Sequence, residues 1–513
     1  MPSTPSGGTS VTLALENEQA TQQLVIDVAS ALEPGNMVTL SGDLGAGKTT
    51  FARALIRYLA GNPAIPVPSP TFTLMQSYDL PRFPVVHADL YRLSGPDELA
   101  ELGFDDLPEE TVILLEWPDR ANGLLPADRI DIAFMLAPDR GLEYRNVRIT
   151  GHGALAKRIE RLVALRAFLE RTGFGGLERH RMQGDASTRM YEKILFEGGS
   201  AVLMNSPRRT DGPAVRGSKT YSAIAHLAED VTPFVAMANG LRERGFSAPA
   251  VLEADLDYGF LILEDLGSEP IVSGTPPAPI KERYEAAVDT LLALHGLWLP
   301  EVLPVASGIE HVIPRYSLDA FLIEAELLLD WYIPFAGGTV SDSQRKTFTD
   351  LWRGVMLPVL TTEQTWVLRD YHSPNLLWLP NRKGIQRVGL LDFQDAVMGP
   401  PAYDLASLLQ DARVDVPEAM ELSLLTHYCR LRKYRDPHFQ VVPFAETYAI
   451  LATQRATKIL GIFARLDRRD GKPQYLRHMP RIWGYLQRSL THPSLASLQG
   501  WYREHVPAWR PSS

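Results

Sequence analysis

The residues with the clearest chemical capability lie between positions 42 and 50. Gly42-Asp-Leu-Gly-Ala-Gly-Lys-Thr49 fits G-x-x-x-x-G-K-T between a predicted strand and a predicted helix. Glycines at this spacing let successive backbone N–H groups converge on a phosphate, and the helix N-terminus adds partial positive charge. Lys48 is placed to reach the terminal phosphates and Thr49 to ligate Mg²⁺. The sequence predicts an ATP-binding loop made of Gly42, Asp43, Gly45, Ala46, Gly47, Lys48, Thr49 and Thr50.

Two carboxylates are candidates to complete this site. Asp89 and Glu116 each stand at the end of an apolar run that is predicted to be a strand. In open α/β sheets the carboxyl ends of the strands face the ligand crevice, where either side chain is able to join a metal shell or act in catalysis. The alternative for each is a solvated helix cap.

A second group of reactive residues lies in the last third of the chain. Leu368-Arg-Asp-Tyr-His-Ser-Pro-Asn375 contains Asp370 and Asn375 in the spacing D-x-x-x-x-N, and Asp392 follows an apolar run. In phosphoryl transfer, an aspartate orients the acceptor hydroxyl and receives its proton, while an asparagine and a second aspartate hold Mg²⁺. The pattern predicts Asp370 as the catalytic base, with Asn375 and Asp392 as metal ligands.

Two further residues flank this predicted catalytic loop. His372 lies inside it, but Asp370 already occupies the position of a base. We therefore expect His372 to contact the substrate or to support the loop. Asp404 is expected to brace the loop.

The elements that position the first group alternate between strands and helices. Strands are predicted at residues 37–41, 84–88 and 111–116, and a helix at residues 48–60. This alternation is typical of an α/β sheet. A helix at residues 154–171 follows Gly151-His-Gly153, and its apolar face is marked by Leu155, Ile159, Leu162 and Val163.

The remaining chain begins with strands and becomes helical. Two strands, 190–196 and 201–204, are predicted to form a hairpin through Glu197-Gly-Gly-Ser200, and another strand covers 259–263. Helices are predicted at 282–294, 318–331 and 444–466. We expect a flexible terminus at residues 1–10, an ATPase domain at 11–150, a β-containing lobe at 151–265 and a larger helical lobe at 266–513.

Length and composition limit the class of protein. A chain of 513 residues suggests about three folding units at roughly 150 residues each. Cys429 is the single cysteine, which excludes an intrachain disulfide and a zinc site built from cysteines. Because the sequence has no apolar run of bilayer length and no secretory leader pattern in its first ten residues, we expect a cytoplasmic protein that does not use a membrane.

The net charge of −10 comes entirely from the first 150 residues, which contain 10 Lys+Arg and 20 Asp+Glu. The remaining chain contains 41 of each. An acidic module is not expected to hold an RNA backbone by bulk electrostatics. A role in nucleic-acid chemistry therefore calls for a partner protein or a local basic patch.

The first part of the chain resembles the TsaE family, the small ATPase of bacterial tRNA threonylcarbamoyladenosine synthesis. The resemblance covers about residues 10–150 and rests on the phosphate loop, Ser69-Pro-Thr-Phe72, His87-Ala-Asp-Leu-Tyr-Arg-Leu93 and Glu116-Trp117. It implies ATP binding by Lys48, Mg²⁺ held by Thr49 and Glu116, and switch-like contacts from Thr71 and Asp89. It also implies partner subunits of the modification complex, which handle the tRNA, so that this chain meets tRNA only indirectly.

The second part resembles the aminoglycoside phosphotransferase superfamily, a two-lobed kinase-like fold. Within that superfamily it resembles the anomeric N-acetylmuramate and N-acetylglucosamine kinases of cell-wall (peptidoglycan) recycling, whose signatures match Arg369-Asp-Tyr-His-Ser-Pro-Asn375 and Leu391-Asp-Phe-Gln-Asp-Ala396. The resemblance covers about residues 154–505 and implies an amino-sugar substrate. It also implies that the ATP-binding residues include Gly184, Ser187, Thr188 and Arg189 in a loop over the phosphates, and Glu264 and Leu266 in the adenine hinge.

Some positions depart from the usual kinase pattern, and alternatives stay open. Met204 stands where many kinases place the strand lysine, so Arg189 and Lys193 are the candidates to replace it. One alternative is a pseudokinase with a regulatory or scaffold role. Another is a different acceptor, such as an aminoglycoside or choline. A cationic acceptor would need an acidic pocket, and the sequence alone does not place Glu324 or Glu326 in one. Trp298, Trp331 and Trp378 are interpreted as core residues rather than as sugar-stacking residues.

Overall fold

The computed structural model describes residues 9–93, 98, 102–121, 124–141, 143–182, 189–209 and 212–509. The chain divides into two compact units, of which the first contains Met1–Ser206 and Phe260–Ile262 and the second contains Pro207–Gly259 and Leu263–Ser513. The predicted domain boundaries after residues 150 and 265 stay predictions. None of the helices in the described ranges combines the length and hydropathy needed to cross a membrane.

In the described part of the first unit, seven strands form a mixed sheet in the order β1-β7-β6-β2-β5-β4-β3. Strands β6, β2, β5 and β4 run parallel at its centre. The strands are β1 (Thr9–Leu15), β2 (Met37–Gly42), β3 (Met75–Tyr78), β4 (Val85–Asp89), β5 (Val112–Glu116), β6 (Arg129–Leu136) and β7 (Arg145–Gly151). The three predicted strands are confirmed to within one residue at each end.

Two helices pack beside this sheet: α1 (Glu18–Ala31) and α2 (Lys48–Ala60). Helix α2 has the predicted bounds. It lies between Gly47 and Gly61, both of which have positive φ, and it buries Phe51, Leu55 and Ile56 completely. The apolar face at this helical spacing is what holds α2 against the core.

Helix α3 (Ala156–Arg171) serves two cores. Ile159 and Leu162 pack with the core of the seven-stranded sheet, whereas Leu165 and Phe168 pack with a second cluster that includes Phe260. That second cluster lies on three strands that pair in the order β8-β9-β10. These strands are β8 (Glu178–Arg181), β9 (Met190–Phe196) and β10 (Gly199–Asn205). The predicted hairpin is confirmed, with its turn shortened to Glu197 and Gly198.

A buried charge network joins helix α1 to strands β8 and β9. Asp27, only 3% exposed, accepts a hydrogen bond of 2.6 Å from Nε of Arg166 and pairs with Arg179. Arg179 also pairs with Glu192 at 3.2 Å and donates to Gln23 at 2.8 Å. Because Asp27, Arg179 and Glu192 are all buried, each of these charges depends on its partners.

Replacing Asp27 with alanine is expected to lower the free energy of unfolding of the first unit by about 3 kcal/mol, because Arg179 stays buried with only Glu192 to balance its charge. Urea unfolding followed by fluorescence measures the change. The matched control is Glu33→Ala, whose carboxylate is 64% exposed in its pair with Arg158 and should cost less than about 1 kcal/mol. Equal costs for the two variants would contradict a buried network.

The second unit is mainly helical in its described residues. Its helices are α4 (Tyr221–Ala225), α5 (Thr232–Glu243), α6 (Lys281–Leu294), α7 (Leu318–Leu327), α8 (Ile333–Phe335), α9 (Asp342–Val359), α10 (Ala402–Leu409), α11 (Glu418–Arg435), α12 (Val441–Arg468), α13 (Met479–Ser489) and α14 (Ala496–His505). Gly461 lets α12 approach α7 closely, since a Cβ at this position would lie 2.4 Å from the carbonyl carbon of Leu327.

Short strands lie between these helices along the chain, and one of them contains Phe260–Ile262 of the first unit. They are β11 (Ala214–Arg216), β12 (Lys219–Thr220), β13 (Val251–Asp255), β14 (Phe260–Glu264), β15 (Val272–Ser273), β16 (Ala278–Pro279), β17 (Val302–Ala306), β18 (Ile309–Val312), β19 (Thr365–Val367), β20 (Leu376–Trp378), β21 (Val388–Leu390) and β22 (Val397–Gly399). The hairpin of β20 and β21 lies between Asn375 and Asp392, so it sets their separation.

One predicted helix in this unit is wrong in its last turn. The helix predicted at 318–331 is α-helical only to Leu327 and continues as a π-helical turn, Leu328–Tyr332. Pro334, just beyond, has no N–H to donate to the carbonyl four residues earlier, so the regular hydrogen-bond pattern cannot continue there.

Candidate active sites

The phosphate loop connects β2 to α2 at the carboxyl edge of the parallel strands. Gly42 and Gly47 have φ angles of 130° and 109°. A Cβ on Gly42 would lie 2.3 Å from the carbonyl oxygen of Phe134, so only glycine fits there. Ala46 is fully buried and its carbonyl accepts a hydrogen bond from Arg145 of β7, whereas Asp43, Gly45 and Thr50 are exposed.

Lys48 is held inside this loop. Its Nζ donates to the carbonyl oxygens of Gly42 at 2.7 Å and Asp43 at 2.9 Å, and it lies 3.8 Å from the ring centroid of Trp117. Desolvation lowers the pKa of Lys48, and the carboxylates of Glu116, Asp89 and Asp43 oppose that shift. The ammonium group therefore sits at the start of α2 among neutral acceptors that an anion can replace.

The structure brings both predicted carboxylates to this loop's edge of the sheet. Asp89 and Glu116 are register neighbours at the ends of β4 and β5. Oε2 of Glu116 accepts a hydrogen bond of 2.9 Å from Thr49, and Oδ2 of Asp89 accepts one of 2.9 Å from Thr71. Their roles in metal binding and catalysis stay predictions.

Two residues that complete this site have no role predicted from the sequence. Nε2 of His87 lies 2.9 Å from Oε1 of Glu116, and the imidazole is fully buried. The other is Trp117, which covers Lys48. The spacing along β4 could have indicated His87. Residues two apart on a strand point to the same face, so His87 lies on the same face of the sheet as Asp89.

The second site lies on the catalytic loop of the second unit. Arg369 and Asp392 have positive φ angles of 66° and 55°, which are unfavourable for side chains with a Cβ. The carboxylate of Asp404 accepts hydrogen bonds from the N–H groups of Leu368 at 2.6 Å and Arg369 at 2.9 Å. Asp404 thus braces the loop in the way the sequence suggested.

Asn375 joins the catalytic loop to Asp392. Its Nδ2 donates to the main-chain oxygen of Asp370 at 2.9 Å and to Oδ2 of Asp392 at 3.4 Å. Gln394 donates to the other oxygen of Asp392 at 2.8 Å. Asp370, Asn375 and Asp392 therefore share one connected framework.

The residues present fit Mg²⁺ in both sites. No group of three or more His, Cys, Asp or Glu side chains placed to hold a metal occurs in the part of the chain that the structure describes. Mg²⁺ needs no such cage, because it is bound through one or two side-chain oxygens together with phosphates and water. Carboxylate, amide and hydroxyl oxygens of Asp392, Asn375, Glu116 and Thr49 are donors of that kind.

A buried cluster centred on Glu324 contacts the catalytic loop through Arg369. Glu324 is fully buried, pairs with Arg369, and accepts hydrogen bonds from Lys458 at 2.7 Å and Tyr316 at 2.6 Å. Desolvation raises the pKa of Asp370, but nearby charges, led by those of His372 and Lys458, lower it by a larger amount in total. The net pKa is therefore below the usual value for aspartate, and Asp370 is ionised at neutral pH.

Of the other predicted kinase residues, His372 is 6% exposed, with Nε2 3.9 Å from Oδ1 of Asp370. Glu264 pairs with Arg242 at 2.9 Å and Arg382 at 2.5 Å, and Leu266 is half-buried. Arg189 is 8% exposed in the first unit. Gly184, Ser187 and Thr188 lie outside the described residues. The roles of all these residues stay predictions.

The interpretation of the three tryptophans as core residues is wrong for one of them. Trp298 is 85% exposed, whereas Trp378 is 4% exposed and Trp331 is half-buried. The loop after α6 turns Trp298 outward, and its large apolar area alone did not reveal this.

Replacing Asp404 with alanine is expected to destabilise the catalytic loop, because two buried N–H groups lose their acceptor at about 1–3 kcal/mol each. Thermal unfolding and kinase rate should fall together. The control is Asp289→Ala, whose carboxylate is 48% exposed beside His427. Unchanged stability in Asp404→Ala, with the control also unchanged, would contradict the bracing role.

Comparisons with known proteins match two separate parts of the chain, and each part contains one of the two sites. The family model of the threonylcarbamoyl adenosine biosynthesis protein TsaE matches residues 15–142, and that of the phosphotransferase enzyme family matches residues 179–439. An N-acetylmuramate/N-acetylglucosamine kinase of Caulobacter vibrioides is 38% identical over 361 residues, covering 68% of this chain and 97% of the relative. A TsaE protein of Rickettsia bellii is 40% identical over 125 residues, covering 24% of this chain and 86% of the relative.

The chain belongs to both families. A kinase of Pseudomonas aeruginosa with the same name as the Caulobacter protein is 33% identical over 325 residues, covering 61% of this chain and 84% of the relative. The TsaE part carries the phosphate loop, and the phosphotransferase part carries Asp370. The predicted α/β class, with a P-loop NTPase domain followed by a kinase-like domain, is confirmed. The pairing of an ATPase with a phosphotransferase is confirmed as well.

Proposed function

We propose that the phosphotransferase part transfers the γ-phosphoryl group of ATP to the anomeric hydroxyl of N-acetylmuramate or N-acetylglucosamine, as a step of cell-wall recycling. The observation that carries the proposal is the joint framework of Asp370, Asn375 and Asp392, in a chain that covers 97% of a kinase named for these two sugars. A framework of this kind supports catalysis and disfavours a pseudokinase.

In this proposal Asp370 orients the sugar hydroxyl and receives its proton as the oxygen attacks phosphorus. Asn375 and Asp392 would hold Mg²⁺, which neutralises charge on the phosphates. Gln394 and Asp404 keep Asp392 and the loop backbone in place. The contribution of the chain is therefore mainly positioning and electrostatic stabilisation.

Phosphosugar formation tests this proposal directly. The full chain is incubated with ATP, Mg²⁺ and either N-acetylmuramate or N-acetylglucosamine, and the product is identified by mass spectrometry rather than by ADP release, because the first part also consumes ATP. The methyl glycoside of N-acetylglucosamine, which has no free anomeric hydroxyl, is the matched control and should not react. No phosphosugar from any amino sugar, with the protein folded, would refute the proposal.

A cationic acceptor receives no support from the two acidic residues considered above. Glu324 is neutralised by Arg369 and Lys458, and Glu326 pairs with Arg216 at 2.6 Å. Phosphorylation of kanamycin or choline in the same assay, without amino-sugar product, would favour the alternative acceptors.

For the first part we propose an ATPase that serves tRNA threonylcarbamoyladenosine synthesis together with other protein subunits, and that meets tRNA only through them. The support is a phosphate loop beside which Thr49, Glu116 and His87 are joined by hydrogen bonds and Lys48 lies over the ring of Trp117, in a chain that covers 86% of a TsaE relative. Thr49 and Glu116 would hold Mg²⁺ there.

The surface beside this site suits a partner protein. Leu44 in the phosphate loop is 76% exposed, and Phe72 is 83% exposed under the guanidinium of Arg92. Large apolar side chains on a surface favour protein contacts.

Expression of the full chain in bacteria depleted of their own TsaE should restore threonylcarbamoyladenosine in tRNA hydrolysates, and expression of the Lys48→Ala variant should not. Failure of the unaltered chain to restore it, when it is expressed and folded, would argue against this role.

A further inference from the structure

The first unit contains a cleft that shares only Thr50 with the predicted ATP-binding loop. It has a volume of about 1070 Å³, similar to sites that hold small molecules, and it runs along the outer face of α2 towards α1 and β8. We name it the arginine cleft after Arg53, Arg57, Arg82 and Arg181, which line it together with Tyr58.

The charge of the arginine cleft is opposite in sign to the net charge of the first 150 residues, which supply most of its lining. Three of its arginines belong to the ten Lys and Arg residues found in the first 150 positions, a segment with 20 Asp and Glu. Glu18 is the acidic residue that lines it. Basic side chains are therefore concentrated in this cleft although the first 150 residues are acidic overall, and they give the cleft a positive potential.

Three of the four guanidinium groups are positioned by neutral acceptors rather than by carboxylates. Arg53 donates to the carbonyl of Val67 at 3.0 Å and Arg57 to that of Ile65 at 3.3 Å. Arg82 donates to the carbonyls of Ala29 and Leu32, both at 3.0 Å. Within the described ranges, no carboxylate lies within ion-pair distance of any of the four arginines, and main-chain carbonyl groups hold the guanidinium groups of Arg53, Arg57 and Arg82 in place.

Two further groups in the cleft point the same way. Partial desolvation and the like charge of Arg181 lower the pKa of Arg82 to about 10, although Tyr58 and Glu33 oppose the shift. The Tyr58 hydroxyl is shielded from solvent and has no hydrogen-bond partner in the structure. Repelling cations and an unused donor are arrangements that a bound anion stabilises.

We propose that the arginine cleft binds a compact molecule carrying two or more phosphate charges, of the pyrophosphate or phosphorylated-sugar class. A concave site with converging guanidinium groups suits a small polyanion, because arginine donates bidentately to phosphate. A long nucleic-acid backbone is disfavoured, since the excess of 20 acidic over 10 basic residues in the first 150 positions repels it. The proposal goes beyond both activities above and does not depend on either.

The test uses the full chain and reads the site residue by residue. Phenylglyoxal modifies arginines, and peptide mass spectrometry reports how far each is modified with and without pyrophosphate or N-acetylglucosamine 1-phosphate. Saturating ADP in every sample keeps the nucleotide sites filled. Arg57, Arg82 and Arg181 should be protected several-fold, and the arm that protects at lower concentration identifies the source of the phosphate. Arg148, exposed on β7 and outside the cleft, should be modified equally in all samples.

Equilibrium dialysis with labelled pyrophosphate supplies the second measurement. Arg181→Glu should weaken binding at least about tenfold, as expected for losing a charged hydrogen bond, and Arg148→Glu should change it less than about twofold. Tyr58→Phe removes only the unused hydroxyl and serves as a second cleft variant if Arg181→Glu does not fold. Absence of protection by both probes, equal weakening in the two charge-reversal variants, or protection by tRNA alone would each overturn the proposal.

Discussion

Asp370→Asn should lower the rate of phosphosugar formation by about 10²–10⁴-fold while leaving the fold intact. The substitution keeps the shape of the side chain but removes the carboxylate that receives the proton of the sugar hydroxyl. Asn375 contacts the main-chain oxygen of Asp370 rather than its side chain, so the loop framework keeps its hydrogen bonds in the variant. The loss should therefore appear in kcat at saturating sugar and ATP.

The control is Asp330→Asn, which alters a carboxylate 46% exposed beside Arg345 in the same unit and should leave the rate unchanged. ATP hydrolysis by the first part should also be unaffected in Asp370→Asn. His372→Asn distinguishes the role of His372 from that of Asp370. If His372 contacts the substrate, its substitution should raise KM more than it lowers kcat. If Asp370→Asn kept more than a tenth of the rate, the assignment of Asp370 as the base would be wrong.

The sequence predicted those parts of the sites that are formed by residues close together in the chain. The phosphate loop and its helix were predictable because Gly47 and Lys48 sit at a junction whose turn chemistry is local. The order of Asp370, Asn375 and Asp392 was equally readable, since one short hairpin separates the last two. In both cases the chemistry is fixed by residues close together in the chain.

Contacts between distant segments were not predictable in the same way. Asp27 and Arg179 are 152 residues apart and Glu324 and Arg369 are 45 apart, and no periodicity connects either pair. The sharing of α3 between two cores was also hidden, because its apolar face reads the same whether it covers one sheet or two. Tertiary packing decides these features, and a single sequence does not show it.

Lys48→Ala should weaken nucleotide binding to the first part by at least about tenfold and abolish its ATP hydrolysis. In the structure Nζ of Lys48 is satisfied by two loop carbonyls and the Trp117 ring, and a bound phosphate would exchange these for charged hydrogen bonds worth about 1.5–3 kcal/mol. Alanine removes the ammonium group but leaves the backbone N–H groups of the loop. Binding should therefore be weakened rather than lost.

Calorimetry of the full chain can locate this loss, because the two sites are counted separately. The unaltered protein should bind two equivalents of nucleotide, and Lys48→Ala should bind one at concentrations that saturate the kinase site. Lys157→Ala, an exposed lysine on α3, should still bind two. Two equivalents with unchanged affinity in Lys48→Ala would show that the phosphate loop does not hold the nucleotide. Phosphosugar formation should continue in this variant, since its catalytic base lies on Asp370 and not in the phosphate loop, so the pair of variants assigns each ATP-consuming reaction to one part of the chain.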